Sequence, residues 1–128
     1  MTVAGAHTGQ LDILDRAMHY ALRAVNLYEY LHQQPRQAAW IMGKQYLRAA
    51  TSIGANLEEA QAGESRQDFI HKCAIAQKEA RESRYWLRLL MQSELVPAAR
   101  IEPLLQETEE IVAIVTTIIV NTKSSAKK

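Results

Sequence analysis

Residues Arg48 to Leu90, RAATSIGANLEEAQAGESRQDFIHKCAIAQKEARESRYWLRLL, decide the architecture. Apolar residues recur at three- and four-residue steps on both sides of a break at Gly63 and Ser65, so the stretch reads as two long helices joined by a short turn. On the first, Leu47, Ala50, Ile53, Gly54 and Leu57 form a stripe, joined by Trp40 upstream. On the second, Phe69, Cys73, Ala76, Ala80, Leu87, Leu90 and Met91 share a face. Ser65 is placed to cap the second helix, with Asp68 three residues on in the reciprocal position. Small residues at Ala49, Ala50, Gly54 and Ala60 on one helix, and Ala74, Ala76 and Ala80 on the other, allow the two axes to approach closely.

Working outward, the same periodicity predicts a helix from about Leu11 to His32, carrying Leu14, Met18, Ala21, Leu22, Val25 and Tyr28 and ended by Pro35. The helix that follows runs from about Gln37 to Gln61. The helix capped by Ser65 reaches about Ser93, and a break over Leu95 to Ala99 precedes a last helix with Leu104, Leu105, Ile111, Val112, Val115, Ile118 and Ile119. Four helices with short connections imply an all-α, up-down-up-down antiparallel four-helix bundle. The expected boundaries are a flexible N-terminus over 1–10, a single bundle domain over 11–122, and a disordered basic tail over 123–128.

The run IVAIVTTIIV, Ile111 to Val120, is rich in β-branched residues, yet ETEE flows into it without a turn residue and a lone strand would have no partner. Helix is the reading. Such a helix is apolar nearly all round and carries more apolar surface than three neighbours can cover. Ile111, Ile114, Val115, Ile118 and Ile119 are therefore expected at an oligomer interface.

The 128 residues suit one domain, and the formal charge of +1 is no global basic excess, so any nucleic-acid contact needs a local patch. Arg81, Arg84 and Arg88 supply one, at i, i+3 and i+7 on a common helix side with Lys78 beside them. These cations either engage phosphates, with Tyr85 and Trp86 able to stack on bases, or are spent on pairs with Glu82 and with Glu107, Glu109 and Glu110 of the last helix. Ser52 and Asn56, four apart among small and apolar residues, are expected to hydrogen-bond across the bundle or a subunit boundary and so fix register.

Chemistry has little to stand on. Glu58 and Glu59 are adjacent and diverge by about 100° on a helix. His7, His19, His32 and His71 have no metal-ligand spacing, and Cys73, the single cysteine, lies on an apolar face. There is no GxSxG context and no glycine-rich phosphate loop. The expectation is no catalytic residue, no metal, no cofactor, and no enzyme. The N-terminus lacks a basic n-region, and no segment has the roughly 20 apolar residues of a membrane span, so a cytoplasmic protein is expected.

RAATSIGANLEEAQ and SRQDFIHKCAIAQKEARESRYWLRLL together resemble the four-helix bundle proteins encoded in intervening sequences of bacterial 23S ribosomal RNA genes. The resemblance is strongest from Tyr46 to Leu90. The family core Arg-Ala-Ala-x-Ser-Ile-x-x-Asn reads here as Arg48, Ala49, Ala50, Ser52, Ile53 and Asn56. The next family element, Ile-Ala-Glu-Gly, departs to Leu57, Glu58, Glu59 and Ala60, and KEARES supplies Glu79 and Glu82. The resemblance implies a homopentameric ring. It also implies similarity to the accessory variability proteins of diversity-generating retroelements, which bind nucleic acid and a reverse transcriptase through basic surfaces. The leading expectation is thus a non-enzymatic oligomeric bundle binding RNA, DNA or a nucleoprotein partner through Lys78, Arg81, Arg84, Arg88 and Arg48, with help from Lys123, Lys127 and Lys128. A protein scaffold without nucleic-acid binding is the alternative.

Overall fold

A computed structural model describes residues 8–126. It contains four helices: α1, Thr8–His32; α2, Gln37–Gln61; α3, Arg66–Gln92; and α4, Ala98–Ala126. Each packs on its neighbours in the cycle α1–α2–α3–α4–α1, with α1 against α4 the sparsest of the four seams. The pairing of Arg16 with Glu107 and Glu110, and of Tyr30 with Arg100 at the other end, shows that α1 and α4 run antiparallel. The last helix extends through Lys123 to Ala126, residues expected from the sequence to be tail, and α1 starts at Thr8, ahead of the expected Leu11. The rest of the expected termini, with His7, Lys127 and Lys128, lies outside the described residues.

Local chemistry sets the helix ends. Ser65 Oγ accepts from the Asp68 backbone N–H at 3.0 Å, so Ser65 caps α3 as expected, without the reciprocal bond to the Asp68 carboxylate among the described residues. At its other end, Leu95 N–H reaches Leu90 C=O and Glu94 N–H reaches Met91 C=O, with Glu94 in the left-handed region at φ 59°. This is a Schellman closure built without glycine.

The core is a continuous apolar cluster with one polar layer. Tyr20 of α1, Tyr46 of α2, Ser83 of α3 and Thr108 of α4 are all fully buried. Thr108 Oγ1 donates to Leu104 C=O at 2.6 Å, so the 2.6 Å contact with Tyr20 requires the phenol to donate to Thr108. Ser83 Oγ donates to Glu79 C=O of its own helix at 2.9 Å. Tyr46 packs edge-on against Tyr20, and its hydroxyl has no hydrogen-bond partner among the described residues. Burial raises the pKa of both phenols.

Two expectations about packing are corrected. The buried face of α1 is Ile13, Ala17, Tyr20, Ala24, Leu27 and Leu31, whereas Met18 and Leu22 are each 56% exposed and Val25 is 40% exposed. Helix α1 carries two apolar stripes, and the one made partly of alanines and a tyrosine faces the core. Conversely, Ile111, Val115 and Ile119 are buried within the protomer, with Ile114 and Ile118 partly buried against the same cluster. Ile111, Val115 and Ile119 are thus taken up by the chain's own core, and the outward side of α4 is made by Ala113, Thr117 and Val120. Exposed large apolar residues include Met18, Leu22 and Val25 on α1, Trp40 and Ile41 on α2, and Val120 on α4.

Candidate nucleic-acid interface

Helix α3 presents Lys78, Arg81, Tyr85 and Arg88 outward, at successive spacings of three, four and three residues. That spacing keeps them on one stripe of the helix. None of the three cations makes an ion pair with a described residue. Tyr85 is 57% exposed between them and meets Trp86 edge-on, with ring centroids 5.1 Å apart.

The other two arginines of the expected patch are spent internally. Arg84 Nη1 lies 3.0 Å from Glu109 Oε1, bridging α3 to α4 through the ETEE segment, as the bridged alternative expects. Arg48 reaches across from α2 to Glu79 Oε1, at 3.3 Å, and to Glu82 Oε2. Trp86 Nε1 donates to the same Glu82 oxygen at 3.1 Å. These two donors, the indole first and then the guanidinium, hold the Glu82 carboxyl below its ordinary pKa, while the Glu82 hydrogen bond raises that of Arg48. The arginine of RAATS and the glutamates of KEARES therefore form a clasp between α2 and α3.

A comparable clasp ties α1 to α4, and no local sequence signal announces it. Arg16 donates to Glu107 through both Nε and Nη2, at 3.0 and 2.8 Å, and also to Glu110. The hydrogen bonds with Glu107 and then Glu110 raise the Arg16 pKa. Only knowledge of the α1–α4 register would have paired it.

Within the protomer Ser52 and Asn56 do not bridge helices. Ser52 Oγ donates to Arg48 C=O at 2.7 Å and Asn56 Nδ2 to Ser52 C=O at 2.9 Å, both within α2. Their short side chains back-bond to the preceding turn, and the inter-helix polar contact at the core falls to Tyr20 and Thr108 instead. His19, His32 and His71 are exposed, with His32 stacked on Tyr28 and tilted against Trp40. Cys73 is buried, and desolvation pushes its thiol up to about 11. No group of three or more potential metal ligands occurs among the described residues, and none of their helices is long and apolar enough to cross a membrane.

Residues 9–117 match the sequence model of the 23S rRNA-intervening sequence protein family. The chain belongs to that family. The crystal structure of a protein of unknown function from the S23 ribosomal protein family of Bacteroides thetaiotaomicron is similar, at 40% identity and a TM-score of 0.82. The match covers 87% of this chain and 97% of the other. No curated protein matches. In this 23S rRNA-intervening sequence protein, then, two of the resembling motifs have a structural use, since they build the α2–α3 clasp. The cations Lys78, Arg81 and Arg88 beside it form no ion pair with a described residue.

Proposed function

We propose that this chain is a non-enzymatic, oligomeric bundle that binds RNA, or an RNA-containing partner, through the α3 stripe. The observation carrying the reading is the contrast along α3: Arg84 pairs with Glu109, whereas Lys78, Arg81 and Arg88 flank an exposed tyrosine and form no ion pair with a described residue. Cations so placed suit phosphates, and an aromatic between them suits an unstacked base. A small patch gains effect by repetition in an assembly, because linked weak contacts sum by avidity. The pentameric ring implied by the family resemblance would provide that repetition, and the exposed α1 stripe supplies apolar surface for it.

Structured RNA should bind with an affinity that falls steeply with salt. Arg81→Ala with Arg88→Ala should lower both the affinity and the salt slope, by about one unit for each phosphate that a bound protomer no longer neutralises. Arg84→Ala should change binding far less. Gel-shift titrations at several salt concentrations check this, and equal effects of the two sets would refute the stripe.

The second reading is a protein scaffold, and the exposed α1 residues Met18, Leu22 and Val25 favour it. Nuclease-treated samples that keep a defined protein partner, together with an absence of RNA binding by the purified chain, would establish it in place of the first.

A further inference from the structure

The sparse seam between α1 and α4 holds a cleft of about 250 Å³ lined by Arg23, Asn26, Leu27, Arg100, Pro103 and Leu104. Its only charged lining residues are two arginines, one from each helix, and neither makes an ion pair with a described residue. The adjoining hollow shows the contrast. There Arg16 lies with Glu107, its partner, while Arg23 borders both spaces.

Arg100 is held in place by another means, with its guanidinium carbon 3.9 Å from the centroid of the Tyr30 ring. A cation over an aromatic face keeps its charge and its hydrogen-bond donors available to a further partner. Arg100 also stands in the first turn of α4, which contains no acidic residue, so the positive end of the helix dipole adds to the same sign. Pro103 lines the cleft from within α4, where it cannot donate to the Ala99 carbonyl. Two uncompensated guanidiniums, a side-chain amide and three apolar residues thus line one small cleft.

We propose that this cleft binds a phosphate ester of nucleotide size. Arg23 and Arg100 take the phosphate oxygens, Asn26 offers a donor and an acceptor to the attached group, and Leu27, Pro103 and Leu104 pack against its apolar surface. The site stands on α1 and α4 and is independent of the α3 stripe.

Calorimetric titration of the full chain with adenosine 5′-monophosphate, inorganic phosphate and adenosine tests it. Saturable binding is expected for the monophosphate, weaker binding for phosphate, and none for adenosine. Arg23→Ala and Arg100→Ala should each weaken the monophosphate about tenfold or more, as expected when a hydrogen bond to a charged group is removed. Tyr30→Phe should bind like wild type and Tyr30→Leu more weakly, each with unchanged helical circular dichroism. Arg81→Ala with Arg88→Ala should leave this binding intact even where it abolishes RNA binding, so the two sites can fail separately. An oligonucleotide that gains affinity through Arg23 and Arg100 on 5′-phosphorylation identifies a strand end as the source, and binding confined to mononucleotides identifies a free nucleotide. No saturable binding of the monophosphate by folded wild-type protein, or an equal loss in the Arg81 and Arg88 variant, overturns the proposal.

Discussion

At Glu94 a single residue closes α3 in a conformation that an L side chain adopts at a cost of about 1–2 kcal/mol, since Cβ then crowds the following carbonyl. Its backbone N–H already serves the Schellman closure, which glycine can form without that crowding. Glu94→Gly is therefore expected to raise stability by about 1 kcal/mol, visible as a higher urea midpoint with an unchanged slope. The sequence placed the helix end correctly near Ser93 but offered no glycine to mark how the chain turns. The core tyrosines give a paired prediction. Tyr20→Phe removes the donor to Thr108 and should cost about 1 kcal/mol, whereas Tyr46→Phe deletes a buried hydroxyl without a partner and should be neutral or stabilising. Equal destabilisation of the two variants in denaturant titrations would show that the polar layer is not divided in this way.

Each helix was legible as an element, because periodicity and breakers are local signals; which stripe faces the core was not always so. On α3 the stripe from Cys73 through Leu90 is unambiguous, since the opposite side is charged. On α1 bulky residues fall on two sides, and only the neighbours' shapes decide that Ala17 and Ala24 go inward while Met18 and Leu22 remain outside. The same limit hid the clasps, because the partners of Arg16 and Arg48 depend on inter-helix register. Glu82 makes the α2–α3 clasp measurable. Its pKa is lower in the folded protein than the ordinary 4.5, so its stabilisation is present above that value and is lost as pH falls through the folded pKa. Glu82→Gln should flatten the loss of stability as the pH falls from neutral into the acid range, with a modest change at neutral pH because the pair is partly solvent-screened. A wild-type acid slope in this variant, measured by urea midpoints across that range, would remove the carboxylate from the acid response.

For the whole molecule, the apolar run of α4 that was expected to need a partner is largely taken up within the protomer, while large apolar residues stand exposed on α1 and α2. Four helices close one core, and the β-branched run of α4 fills it from within, so Ile111 and Val115 have nothing left to offer a second subunit. Met18, Leu22 and Val25, at i, i+4 and i+7, form the stripe that the bundle leaves uncovered on α1. Beside it lies a groove between α1 and α2 floored by Ala17, Ala21, Gly54 and Ala55, small residues over which another helix can approach closely. Fully covering each large side chain is worth about 1.5–3 kcal/mol, less the cost of association, so one stripe repeated around an assembly is energetically significant. If the α1 stripe is where protomers meet, Met18→Gln with Leu22→Gln should convert the assembly to monomers at micromolar concentration while leaving helical content and the protomer core intact. Val115→Ala should instead lower stability by about 1–3 kcal/mol through a cavity in the core, without selectively dissociating the folded assembly. Light scattering alongside thermal melts separates the two effects, and an assembly that persists in the α1 variant would move the interface elsewhere.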